Sequence, residues 1–147
     1  EVQHTSPMDQ ERLVALNKLS CFHKVVCADN HVAAFLLAMC NEAAYENSNF
    51  EWFARSYPRF IYIDRIVVSP DFRGLRLGSL LYEELFRCAR HSGIPLVTCE
   101  YNVVPPNEPS RIFHEKFGFM EQGTQWLANG TKRVSLQAAA TGRENSC

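Results

Sequence analysis

The chain has 147 residues, 46% of them hydrophobic, with 15 basic and 16 acidic side chains and a formal net charge of −1. That length and apolar content suit one domain with a proper core and exclude disorder as the default. The near-neutral balance supplies no whole-molecule field to draw nucleic acid or an anionic membrane, so any anion site must be local.

Ser6-Pro7-Met8-Asp9 carries helix-start signals: a capping Ser, Pro at the first helical position and an acid three residues after the cap. Leu13, Leu16 and Leu19 then recur on one side, predicting a short amphipathic helix that ends near Ser20. Residues 22–28 and 32–40 are β-type runs across a tight turn at Asp29-Asn30-His31, with helix left open for the Ala-rich second run. The stretch 32–40 is also the longest apolar one, under half a membrane span. Nothing near the N-terminus resembles a secretion signal, so a cytoplasmic protein is expected.

A polar section at 41–50 leads into aromatics at Phe50, Trp52, Phe53 and Tyr57, which suggest a short helix or an ordered lid stopped by Pro58. FIYIDRIVVSP, residues 60–70, is the strongest strand signal and runs straight into RGLRLG. The following helix places Leu77, Leu80, Leu81, Leu85, Cys88 and Ala89 on one stripe, pairs Glu83 with Arg87 on the wet face and stops at Gly93. Next come a strand, PLVTCEYNV, a proline break, and a helix PSRIFHEKF opened by Pro109 and closed by Gly118, with Ile112, Phe113 and Phe117 towards the core. Two last strands, FMEQGTQWLA and TKRVSLQA, are joined by the hairpin signal Asn129-Gly130. The order predicts an α/β fold around a mixed sheet, as one domain over residues 1–137 with a flexible tail at 138–147.

The six cysteines, Cys21, Cys27, Cys40, Cys88, Cys99 and Cys147, lie far apart without a CxxC pair, mostly inside predicted strands and helices. They read as free, buried thiols in a reducing compartment, not as a zinc site or a disulfide framework.

RGLRLGSLLYEELF, residues 73–86, sets two arginines and two glycines against a helix start. Unpaired amides, the positive end of the helix dipole and nearby cations make such a junction a phosphate site. It is neither a Walker loop nor the GxGxxG fingerprint, since no Gly-Lys-Ser/Thr follows and Arg76 stands between the glycines. By itself the loop reads equally well as a plain turn with its arginines in solvent.

Together, however, VVSPDFRGLRLGSLLYEELF and, some thirty residues on, NEPSRIFHEKFGF resemble the GNAT superfamily of N-acetyltransferases over about residues 60–137. The resemblance implies a partly splayed mixed sheet flanked by helices, with acetyl-CoA as co-substrate and no metal. The family's first strand has no counterpart before Ser6, so either this end is shortened or the acceptor site is built differently. Arg73 and Gly78 match the first and last positions of the family's pyrophosphate loop, which spans Arg73, Gly74, Leu75, Arg76, Leu77, Gly78 and Ser79 here. Arg76 stands where the family has Gly, so it either adopts a glycine-like conformation and adds a cation or displaces the loop. Backbone N–H groups around Ile66, Val67 and Val68 are implied to polarise the acetyl carbonyl. Asn107, Ser110 and Phe113 fall in the segment that runs beside the pantetheine arm.

For the base, the family's usual Glu position is Tyr62; the acids at hand are Asp64, two places along the same strand, and Glu100 on the next. Each has a structural alternative, an ion pair with Arg65 or a wet strand end. For the acid, the family's Tyr aligns with His114, which titrates near neutrality but equally suits a solvent-facing role beside Glu115 and Lys116.

The acceptor is implied to approach over residues 41–58, where Tyr45, Phe50, Trp52, Phe53 and Tyr57 serve either as packing or as a lid. The expected partner is a small-molecule amine or a protein amino group, with a homodimer as an option and no nucleic acid or membrane. The expected reaction is direct attack in a ternary complex; the alternative is a non-catalytic acyl-CoA-binding or regulatory module. A ping-pong route through Cys99 is weaker because no basic partner is evident.

Overall fold

The computed structural model describes residues 10–142. The helix-start signal at Ser6–Asp9, most of the expected tail and Cys147 lie outside that range. Helix α1 (Gln10–Leu19) buries Leu16, with Leu13 and Leu19 half-buried beside it. Strands β1 (Phe22–Ala28) and β2 (His31–Cys40) pair antiparallel. Asp29 and Asn30, at φ 51° and 64°, supply the left-handed pair that a two-residue hairpin needs, which settles the Ala-rich run as strand.

Helix α2 (Ser48–Ser56) is capped by Asn47, whose side-chain oxygen accepts from the amides of Asn49 and Phe50 at 3.0 Å each. Strand β3 (Ile61–Val68) pairs antiparallel with β2 and leads through a 3-10 turn at Pro70–Phe72 into helix α3 (Leu77–His91). Strand β4 (Leu96–Val104), helix α4 (Glu108–Lys116), and the hairpin of β5 (Met120–Leu127) and β6 (Lys132–Ala140) complete the described fold. The sheet order is β1-β2-β3-β4-β6-β5, antiparallel except between β3 and β4. β6 continues to Ala140, past the domain end drawn at residue 137, because Ala138, Ala139 and Ala140 pair with β4.

Two details position the site. β3 and β4 pair only at Ile61–Val97 and Tyr62–Thr98, beyond which the parallel strands separate. Along β3, Leu37 stands opposite Arg65 and Ala38 opposite Ile63, leaving Asp64 as the extra residue of a β-bulge. The bulge flips the alternation: Ile61 and Ile63 before it, and Ile66 and Val68 after it, all serve the core under α3 and α4. The opposite face packs Leu16, Phe50, Phe53, Phe60, Tyr62, Val134 and Leu136 beneath α1 and α2. All five aromatics at 45–57 are spent there, Tyr45, Phe50 and Phe53 as buried core and Trp52 and Tyr57 packed against it. Trp52 also lies against Gly123, where even a Cβ would come within 2.7 Å of its ring.

Several surface expectations change. α3 buries Leu81, Tyr82, Leu85, Phe86 and Ala89, while Leu80 and Cys88 are exposed. Its inner face is turned by aromatic packing, since Tyr82 meets Phe113 and Phe117 of α4 at ring separations of 4.8 and 5.2 Å. Arg87 pairs with Glu84 at 2.6 Å in place of Glu83, and Ile112 faces solvent. Cys21 and Cys40 form a disulfide, with Cα atoms 5.8 Å apart, contrary to the all-thiol expectation. The register Phe22↔Ala38 lays the two hairpin ends side by side, a proximity that spacing along the chain does not reveal. Of the other described cysteines, Cys99 is buried but Cys27 and Cys88 are exposed. No helix among the described residues is long and apolar enough to cross a membrane.

Candidate active site

Where β3 and β4 part, they open a cleft of about 720 Å³ that joins the two faces of the sheet. One end, on the α3 and α4 face, is lined by Ile66, Val68, Arg73, Gly78, Asn107, Ser110 and Phe113. The other, on the α2 face, is lined by Asn47, Ser48, Asn49, Tyr62, Glu100, Leu127, Lys132 and Val134. Asp64 and His114 also border it. The cleft walls thus unite ten of the residues singled out from sequence; Val67, Gly74, Leu75, Arg76, Leu77 and Ser79 do not line them.

The first end is mostly backbone. Arg76 is the N-cap of α3 at φ 60° and ψ 28°, a left-handed conformation that glycine adopts without strain, and Gly74 precedes it at φ 82°. Arg76 therefore takes the glycine-like option without forcing the helix to start elsewhere. No side chain caps the helix among the described residues, and the amide of Leu80 is the one that bonds to the Arg76 carbonyl, at 3.1 Å. The amides of Leu77, Gly78 and Ser79 belong to the unpaired first turn and point out of its positive end. A Cβ on Gly78 would lie 3.6 Å from Phe113 and 3.7 Å from Ile66, so this glycine holds open the space between loop and α4. Asn107 caps α4 by accepting from the Ser110 amide at 3.3 Å.

Beyond the bulge, the ladder fixes which β3 amides face the gap. The Ser69 amide donates to the Ala33 carbonyl at 2.8 Å, towards β2. Antiparallel alternation then sends the Val67 amide to β2 as well, with Val67 opposite Phe35, and turns those of Ile66 and Val68 into the gap. β4 has already diverged there.

The second end is built from side chains. Glu100 lies two residues past the last β3–β4 pair. Its carboxylate accepts from the Tyr62 hydroxyl at 2.8 Å and is hydrogen-bonded by Asn49. Burial pushes its pKa up to about 7; the Tyr62 and Asn49 hydrogen bonds oppose the rise, and the charge of Asp64 adds to it. Asp64 is held differently: it accepts from Arg65 Nε at 2.7 Å and from the Tyr45 hydroxyl, with only 3% of its side chain exposed.

His114 is buried, not solvent-facing. Its Nδ1 is 2.7 Å from the Ser110 carbonyl oxygen, which only accepts, so Nδ1 carries the hydrogen. Nε2 is then the acceptor for the Tyr82 hydroxyl, also at 2.7 Å. Burial lowers the His114 pKa, so the ring is neutral at neutral pH. Cys99 lines the cleft too, but burial and then the charge of Glu100 raise its thiol pKa well above the ordinary value, the reverse of what a nucleophile needs. Sequence reasoning missed Asn49, Tyr82 and Lys132; Tyr82 lies one residue from the aliphatic stripe, and the other two carry no spacing signal.

This arrangement can grip a diphosphate at bare amides, extend a thin apolar-walled chain past Gly78 and present a carboxylate near neutrality to a group arriving from the opposite face. The profile of the acetyltransferase (GNAT) family matches residues 2–119. Among solved structures the chain is similar to Ard1 from Thermoplasma volcanium, at 16% identity and TM-score 0.70 over 92% of this chain and 82% of that one. It is also similar to Naa20 from Chaetomium thermophilum in complex with a bisubstrate analogue, at 13% identity and TM-score 0.70 over 93% and 75%. A third is the ribosomal-protein-S18-alanine N-acetyltransferase of Escherichia coli, at 16% identity and TM-score 0.61 over 97% of both chains. Identities this low speak to the fold alone. No curated protein matches the sequence.

Proposed function

Because the chain belongs to the GNAT family of acetyltransferases, we propose that it transfers the acetyl group of acetyl-CoA to an amine by direct attack in a ternary complex. The observation that carries this reading is the open seam between β3 and β4, which connects the bare start of α3 to Glu100. Bound acetyl-CoA supplies the thioester; everything else is the work of this chain. The amides of Leu77, Gly78 and Ser79, with Arg73 and Arg76 nearby, hold the diphosphate. Ile66, Val68 and Phe113 wall the arm, with Asn107 and Ser110 alongside it. The Ile66 and Val68 amides donate to the thioester oxygen, where negative charge gathers as the amine attacks.

Glu100 is the base. It takes the one proton that the neutral amine nitrogen sheds as the C–N bond forms, and its raised pKa suits that exchange at neutral pH. A C–N bond forms, the C–S bond breaks, and the thiolate leaves beside Tyr82 and His114. Tyr82's hydroxyl, held on His114 Nε2 at rest, turns to the sulfur and stabilises it by a hydrogen bond while a solvent proton completes the thiol. Asp64, tied up by Arg65 and Tyr45, positions the wall of the seam and does not exchange protons with substrate. The acceptor is a small amine or a protein amino group; the S18-alanine enzyme among the structural neighbours takes the latter.

The test is thiol release from acetyl-CoA across a panel of amines. Turnover that Glu100→Gln abolishes while acetyl-CoA still binds supports the reading. Tight acetyl-CoA binding without turnover of any amine replaces it with a non-catalytic acyl-CoA-binding module.

A further inference from the structure

The acceptor end of the cleft carries Asp64, Arg65, Glu100 and Lys132, and among the described residues Asp64 and Arg65 are joined as an ion pair while Glu100 and Lys132 are not. Asp64 and Arg65 neutralise each other at 2.7 Å, with side chains 3% and 8% exposed. Lys132 forms no ion pair among the described residues although it lines the cleft half-buried. Its charge is felt at Glu100, which it reaches through space without a hydrogen bond.

Register places these two groups on one face. Glu100 stands opposite Leu136 and Asn102 opposite Val134, so Lys132 is the next inward-facing residue along β6 towards the mouth, with Leu127 of β5 opposite it. Four residues of strand separate Lys132 from Leu136, about 13 Å between backbones. An extended lysine side chain covers only part of that distance, in keeping with the lack of an ion pair between the two groups among the described residues.

A cation with no ion pair among the described residues, set on the same face as a proton-accepting carboxylate, mirrors the two charges of an amino acid. We infer that Lys132 seats the carboxylate of the acceptor while Glu100 meets its amino group, so the acceptor is a free amino acid or a comparably compact amino carboxylate. This rests on the acetyltransferase reading above and narrows it. A peptide amino terminus offers an uncharged carbonyl where Lys132 waits, and leaves that cation unmatched.

L-leucine and leucinamide, with a leucine-initiated peptide as third acceptor, decide it. The free acid is expected to be turned over with kcat/KM tenfold or more above the amide, the advantage residing in KM. In Lys132→Met, which keeps the stem and removes the charge, the ratio of acid to amide collapses towards one, and Lys132→Arg restores part of it. Equal kcat/KM for acid and amide in the unaltered protein, better turnover of the peptide, or a ratio untouched by Lys132→Met overturns the inference while leaving acetyl transfer intact. Should no amine be turned over, the acetyltransferase reading fails first, and calorimetry with the CoA-bound protein still decides the carboxylate site. Leucine binding tenfold or more tighter than leucinamide, and that preference lost in Lys132→Met, supports it; no preference, or no binding of either, overturns it.

Discussion

The two ends of the cleft are made in opposite ways. The end at α3 is drawn from contiguous residues and mostly from backbone: Gly74, Arg76 and Gly78 shape one turn, and its donors are amides that any side chain would leave in place. The end at Glu100 is drawn from α2, β3, β4 and the β5–β6 hairpin, and each group is defined by what the others do to it. Backbone sites are robust to composition but sensitive to backbone geometry; side-chain sites are the reverse. A substitution should therefore damage one end without the other.

The largest effect is expected at Glu100. Glu100→Gln should lower kcat by roughly 10²–10⁴-fold, the usual worth of a positioned proton acceptor. Calorimetry should find acetyl-CoA affinity unchanged, and a parallel loss of binding would show that the two ends are not separable. The complementary change is Gly78→Val. An alanine there would make ordinary contacts with Phe113 and Ile66, so the fold should hold. The branched methyls then enter the channel, and the Kd for acetyl-CoA should rise by roughly tenfold or more, about 1.4 kcal/mol.

Acid–base behaviour separates the ends next. Activity should rise with pH through an inflection near 7 as Glu100 loses its proton. Tyr62→Phe removes a hydrogen bond that favours the carboxylate, so the inflection should move up. The stability sign is opposite. Because the folded value lies above the unfolded one, near 4.5, the contribution of Glu100 favours the fold at low pH and is lost as pH rises from 4.5 through about 7. Urea titrations should record that decline, and Glu100→Gln should flatten it.

The smallest effect belongs to Arg76. A non-glycine residue in the left-handed region costs about 1 kcal/mol, so Arg76→Gly should raise Tm by about 2–4 °C in a chain of this size. Acetyl-CoA binding should weaken only a few-fold and lose some salt dependence, since an exposed cation is well screened. A hundredfold loss would mean that the arginine, not the amides, does the holding.

Legibility from sequence follows the same division. The strand at 61–68, the helix start at Leu77 and the helix opened by Pro109 are local events, written in neighbouring residues by β-branching, glycine placement and a proline in the first turn. The chain order of helices and strands could be read from those alone, whereas reading the loop at 73–79 as a phosphate site needed the resemblance, since by itself it suits a plain turn equally well. The bulge at Asp64 could not, because it is a relation between β3 and β2. Nor could the Tyr82–His114 bond, which exists only once α3 packs on α4, or the raised pKa of Glu100, which needs burial among Tyr62 and Asn49. The Cys21–Cys40 pair failed for the same reason: register, not spacing, brings the sulfurs together. The stripe of α3 was misjudged because aromatic contacts with α4 rotated its inner face towards Tyr82.

The bulge makes β3 a strand in which residue count matters as well as residue identity. Because Asp64 is absorbed as the extra residue, Ile66 and Val68 turn their side chains to the α3 and α4 side and their amides to the seam, while Arg65 stays opposite. Deleting that one codon would remove the bulge yet keep Arg65 opposite Leu37 and Ile66 opposite Leu36, so the same side chains and amides would face the seam and only the carboxylate held by Arg65 and Tyr45 would go. The strand should therefore survive the loss of one residue at this point better than the gain of one, since a second extra residue would have to be absorbed by moving Ile66 and Val68 off their face.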